Sequence, residues 1–217
     1  GAGLQKKFQL WKQPELTLKT LTTAKAKKAN TFSICATYTL PQLKADLSVT
    51  YLVMANTGMV KVTETLQMAE GEKAGDLFRF GMLMQLPYNM DKSHFYGRGP
   101  IENYIDRKYS QNIGIYTQTA DEQFFPYIRP QETGTKSDLR WWEQTDKAGK
   151  GFRITSDNVF DASALHYSIN DLDEGEEKDQ RHSYQVPQCK YTELCIDKEQ
   201  FGIGGENSGG SWPLPQH

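Results

Sequence analysis

Between His94 and Arg107 the chain reads HFYGRGPIENYIDR, a span dense in residue types that can do chemistry. Glu102 and Asp106 are carboxylates four residues apart. Glycoside hydrolysis needs two carboxyl groups, about 5 to 9.5 Å from one another. Glu102 and Asp106 reach that separation only in a turn or a helix, and nothing else in the sequence marks them as a pair. The competing reading has them accept hydrogen bonds from the backbone and from Arg98 or Arg107, which pins a loop. Gly97, Gly99 and Pro100 read as a tight connection, since glycine admits positive φ and proline fixes φ at about −65°. If Arg107 is half of a buried ion pair, its replacement by Ala costs about 3 to 5 kcal/mol.

The histidines are His94, His166, His182 and His217, and no two have the i, i+4 spacing of a zinc helix. His94 and His182 with a carboxylate would suit proton movement on a sugar ring; satisfied structural histidines are the alternative. Ser208 and Ser211 have no nucleophile-elbow context. The run GIGGENSGG follows a strand but precedes no helix and lacks the GK[ST] of a phosphate loop. Trp212 is different, because it stands in a glycine-rich, proline-flanked segment. Aromatic faces stack on pyranose rings, and functional aromatics favour loops. The acidic run Asn170 to Arg181 lacks calcium-loop spacing and reads as a solvated surface. Cys35, Cys189 and Cys195 form an odd set without metal-ligand spacing and read as free thiols.

These residues must be positioned by strands. Of the 217 residues, 37% are hydrophobic and 24% charged, which suits a folded chain. The net charge of −2 argues against nucleic acid as a partner. No apolar run reaches 18 residues, so the sequence has no candidate membrane helix. The opening GAGLQKKF has no apolar signal core and reads as a start cut from a longer protein. Leu4, Phe8 and Trp11 predict a short helix ending before Pro14. From Leu16 the period becomes two. Strands are predicted at 16–21 (loosely), 31–40, 47–55 and 59–68, the last two joined by a hairpin turn at Asn56-Thr57-Gly58. The run 77–86 is more apolar and reads as a central strand closed by Pro87. Strands follow over 109–119 and 162–168, and a last one over 188–197. A second hairpin joins 137–145 to 151–156. The segment 124–130, broken by two prolines, reads as edge or loop. Trp141 and Trp142 are adjacent in a strand, so they face opposite ways. With some ten to twelve strands and little helix, the expected fold is all-β, an antiparallel sandwich or barrel of two sheets.

The run YGRGPIENYIDR (96–107) resembles the G-x-G-P-x-E-N-Y-x-D-R motif of the C-terminal β-sandwich domain of glycoside hydrolase family 2 β-galactosidases. PQETG (130–134), leading into Arg140-Trp141, resembles that domain's P-x-E-x-G turn. FGIGGENS (201–208) resembles its G-x-G-G-[DE]-[DN]-S loop, and GLQKKFQLWK resembles its opening segment. The resemblance implies one domain over residues 1–217, a large two-sheet antiparallel supersandwich of the galactose mutarotase-like kind. It implies a parent enzyme that hydrolyses terminal β-galactosides with retention, with its catalytic glutamates on a separate barrel domain. No catalytic residue is then expected in this chain, and no metal or cofactor; any divalent cation the parent needs lies elsewhere. The expected partners are a β-galactoside sugar and the catalytic barrel of the same parent chain, with no nucleic acid and no membrane. The expected substrate-binding residues are Trp212, Asn207, Glu206 and His94. In the family, a tryptophan after the G-G-[DE]-[DN]-S loop stacks on sugar. Here Gly209 follows Ser208 and the tryptophan comes at 212, so either the loop carries an insertion or the role is lost. The chain stops at His217, where such domains add a final strand. A free-standing aldose epimerase and a carbohydrate-binding module are the alternatives. A bacterial periplasm and a cytoplasm both fit.

Overall fold

A computed structural model gives the fold and describes residues 9–12, 14–26, 30–73, 77–172, 181–200 and 202. Most of the expected opening helix, most of the acidic run (173–180) and the segment with Glu206, Asn207 and Trp212 therefore lie outside the described residues. The chain divides after Phe78 into two compact units. Each is built on one antiparallel sheet, so the all-β expectation of two sheets holds.

The first unit is a meander in the order β1-β2-β3-β4: β1 Thr17–Ala26, β2 Thr31–Leu40, β3 Ala45–Met54 and β4 Met59–Met68. A four-residue helix, α1 Gln9–Lys12, precedes it. Partners across the strands share a face, and here they share chemistry. Leu18 faces Tyr38, Tyr38 faces Leu47, and Leu47 faces Leu66. On the other face Thr37 meets Ser48 across a 3.0 Å hydroxyl contact. The loose spacing of Leu18 and Leu21 has a physical reason. The register shifts between Leu18 and Thr20, and the bulge returns Leu21 to the face of Leu18. The predicted turn at Gly58 forms, with φ +69° and its N–H on the Met54 carbonyl at 2.9 Å.

The second unit holds β5 Arg79–Pro87, β6 Lys92–Gly99, β7 Asn112–Thr119, β8 Lys136–Thr145, β9 Gly151–Leu165 and β10 Tyr191–Gln200, in the order β5-β10-β9-β8-β6-β7. The short helices α2 Ala120–Gln123 and α3 Ile169–Leu172 belong to its connections. Its core is Phe95, Leu139, Trp142, Phe160, Ala162, Ala164 and Leu194. Phe95 stacks on Trp142 with centroids 4.9 Å apart. Trp142 is fully buried and Trp141 is not, as strand alternation requires. A buried polar cluster forms around Gln144. The Gln144 carbonyl accepts from Ser93 Oγ and Trp142 Nε1, each at 2.9 Å, while its amide donates to the Met90 carbonyl at 2.7 Å.

Three expectations are corrected here. The run over 77–86 is not central: β5 ends the six-stranded sheet, and its residues alternate between half-buried and exposed. The expected strand over 162–168 is only the last four residues of the 15-residue β9, which continues from the hairpin and ends at Leu165. Gly97 and Gly99 are strand residues of β6 with no positive φ, and the break comes at Pro100, after a cis peptide bond. What Gly97 supplies is room, since a Cβ there would come within 2.6 Å of the Leu139 side chain.

Candidate functional site

The segment from Pro100 to Gln111 leaves β6 and returns as its neighbour β7 in the same sheet, so it must be held by side chains. Asn103, fully buried, does so with every polar atom. Its amide donates to the carbonyls of Arg98 and Ile101 at 3.1 and 3.0 Å, and its oxygen accepts from the N–H and hydroxyl of Ser137.

Glu102 is the centre of a second knot. Its Oε1 accepts from Arg107 at 2.6 Å and from the Tyr127 hydroxyl, and its Oε2 accepts from Thr133 Oγ1 at 2.6 Å and Gly134 N–H at 2.7 Å. The carboxylate is 5% exposed and the Arg107 side chain 39% exposed. Four donors fill the acceptor sites of a carboxylate, and none remains for a sugar oxygen or a water. Burial pushes the Tyr127 phenol upward, and its bond to Glu102 adds to that. Of the two opening readings, a catalytic carboxylate and a tied loop, this geometry is the tied loop.

Around this knot lie charges that strand patterning does not reveal. Asp138 interrupts β8 with φ +53°, at a register shift. Arg98 reaches it at 2.5 Å and Lys108 at 2.8 Å. Burial raises Asp138, but these two cations outweigh burial and hold it below its ordinary value. Across the sheet, Arg79 of β5 binds Asp197 of β10 at 2.9 and 2.5 Å and Glu132 with both terminal nitrogens at 3.3 Å. Burial works against the Arg79 charge, but Glu132 and Asp197 overcome it and push its pKa up. Glu132 is nonetheless lifted too, first by burial, and because Asp197 is drawn to the same guanidinium. Asp161, paired with Asp197 across β9 and β10, is pushed up to about 7 by burial and by that neighbour. Lys136, 1% exposed, donates to the Gly134 carbonyl at 2.7 Å, and burial pushes it down to about 7. Arg98 and Glu132 lie in motifs that the sequence marks; the other groups do not stand out, because a charged residue at an inward position looks the same as one at an outward position until the strands are placed.

Of the four expected substrate-binding residues, His94 alone is described. It lies half-buried on β6, on the face opposite Phe95, with Nδ1 3.0 Å from Glu143 Oε2 and its ring edge-on to Trp141 at 4.9 Å. Glu143 also receives Arg153, and the bonds from His94 and Arg153 hold it below its ordinary pKa. The histidines have separate partners, as the reading of satisfied structural histidines expects: His94 meets Glu143, His182 stacks on Tyr184, and the buried His166 stacks on Tyr88 beside Asp121. Among the described residues no group of three or more His, Cys, Asp or Glu is placed to hold a metal ion. The three cysteines are free.

In this all-β chain the motif carboxylate of Glu102 is spent on its own loop. The comparisons are specific: the chain belongs to the β-galactosidase small chain family, whose model matches residues 4–217. It is 30% identical over 217 residues to a β-galactosidase of Priestia megaterium, covering all of this chain and 20% of that protein. It is 34% identical over 191 residues to a β-galactosidase of Lactobacillus delbrueckii subsp. bulgaricus, covering 87% of this chain and 18% of the relative. A third relative, β-galactosidase BgaC of Bifidobacterium adolescentis, is 37% identical over 153 residues, 68% of this chain and 14% of its own length. The chain thus spans a fifth or less of the length of these curated relatives.

Proposed function

We propose that this chain works as one domain, the C-terminal β-sandwich domain of a larger β-galactosidase that hydrolyses terminal β-D-galactosides with retention. In this reading its task is mainly structural. One loop edge, with Glu206, Asn207 and Trp212, completes the sugar site together with His94, while a barrel domain elsewhere in the parent chain supplies the catalytic carboxylates. The domain itself brings no cofactor.

The observation that carries the reading is the state of Glu102. The strongest motif in the chain carries Glu102 and Asp106, and the Glu102 carboxylate is closed off by four hydrogen bonds. A glycosidase acid or nucleophile must face its substrate, so the motif supports a frame. The names of the relatives as β-galactosidases support a β-galactoside as the substrate class of the parent. The test compares the isolated chain with the full-length protein that carries it on a chromogenic β-galactoside. Turnover is expected only from the full-length protein. Turnover by a clean preparation of the isolated chain would overturn the reading.

A further inference from the structure

Two open sheets have four edges, and the described strands at three of them carry features that discourage pairing with another chain. β1 has Lys19 and Lys25 and a bulge after Leu18. β4 has Lys61 and Glu64, while β5 opens on Arg79 and closes on Pro87. Charges, prolines and bulges are the usual means of keeping an edge strand single. β7 is the fourth edge and has none of them. Its eight residues, NIGIYTQT, hold no charge and no proline, and its register with β6 runs without a shift. The uncharged run extends from Tyr109 to Ala120. Ile113 and Ile115, on the face shared with Tyr96 and His94, are 43% and 62% exposed. Among the described residues no strand pairs with the outer side of β7.

We propose that β7 is a dimerisation edge, at which a second copy of this chain adds antiparallel across a two-fold axis at Ile115. The strand is self-complementary in that register. Ile115 meets its own copy, Ile113 meets Thr117, Gly114 meets Tyr116, and Asn112 meets Gln118. On one face apolar side chains meet each other or a threonine methyl. On the other, a residue without a side chain meets the aromatic ring and an amide meets an amide. No like charges stand opposite, so every cross-strand pair is compatible. The free backbone N–H and C=O groups of each edge supply the ladder, as in strand addition generally. A two-fold contact of this kind uses the same patch on both copies, the commonest closed arrangement of oligomers. An uncharged edge has no means of selecting a partner by charge, and self-matching provides the selection through side-chain fit. The contact is independent of any sugar site.

The test is disulfide cross-linking and sedimentation velocity, on the chain and on the full-length protein that carries it. Across the proposed axis the two Ile115 Cα atoms lie about 4.5 to 5.5 Å apart, within reach of a disulfide. The two Thr117 positions are offset by four residues, about 13 Å along the strand, and are out of reach. Ile115→Cys is therefore expected to form a covalent dimer under oxidised glutathione, and Thr117→Cys to stay at the level set by the three native free cysteines. The unsubstituted chain is expected to sediment at about twice its monomer mass. Ile115→Lys, which sets two like charges against each other at an exposed position, is expected to sediment at the monomer mass with an unchanged circular dichroism spectrum. Equal cross-linking at both positions, or at neither, overturns the proposal. So does a chain that dimerises alone while Ile115→Cys fails to cross-link in the full-length protein, for then a strand of the parent covers the edge.

Discussion

Glu102 and Arg107 form an ion pair in which the two partners carry unequal weight. Removing Glu102 leaves the Thr133 and Tyr127 hydroxyls, the Gly134 N–H and the Arg107 guanidinium without their shared acceptor. Glu102→Ala should cost about 3 to 5 kcal/mol, the range for breaking a buried charged network. Removing Arg107 is a smaller event than expected for a buried pair. The guanidinium is 39% exposed, so solvent screens it, and Glu102 keeps its other donors. Arg107→Ala should cost about 1 kcal/mol. Urea unfolding of the two variants checks this, and equal losses would show that the knot is not centred on Glu102.

At the scale of elements, β6 and β8 are the pair that matters most. They bring Phe95 onto Trp142 in the core and His94 onto Glu143 on the opposite face. Their approach depends on Gly97, where an added Cβ meets the side chain and the backbone of Leu139. Gly97→Ala should therefore destabilise by about 1 to 3 kcal/mol, the cost of overpacking a close contact. Because β6 carries His94 and leads into Pro100, near-ultraviolet circular dichroism of Trp141 and Trp142 should change in the same variant. A native spectrum with full stability would mean that the strands have room to part.

For the molecule as a whole, two buried groups shape the dependence of stability on pH. Lys136 is lowered from 10.5 to about 7 by burial. The native chain then binds fewer protons than the unfolded chain from about pH 7 to 10.5, so stability rises with pH across that window. Asp161 is raised from 3.8 to about 7. There the native chain binds more protons, so its contribution is complete below about pH 4 and is lost as pH rises to about 7. The two contributions together place a minimum near neutrality. Urea unfolding at pH 5, 7 and 9 should show it, and Lys136→Met should abolish the rise above neutral pH and add about 2 kcal/mol at pH 7. An unchanged profile in that variant would mean that Lys136 reaches solvent when charged.

Most of the strands, the hairpin turn at Gly58, the opposite fates of Trp141 and Trp142 and the family itself were legible in the sequence; β6 was not, because Gly97, Gly99 and Pro100 read as a turn. All of the legible features depend on local periodicity or on short contiguous motifs, and both survive without knowledge of what lies across the sheet. Strand order was not legible, so the apolar run over 77–86 looked central when it forms an edge. Nor was the second function of β9, whose far end pairs with β10. The motif around Glu102 was visible at once, but its meaning was not. A carboxylate becomes a catalyst or a strut according to how many donors surround it, and here they come from residues 107, 127, 133 and 134. The same holds for Arg79, Glu132 and Asp197, which are 118 residues apart at their extremes and share one guanidinium. Only the tertiary structure brings such groups together, because hydrogen bonding and desolvation depend on distances in space that spacing along the chain does not record.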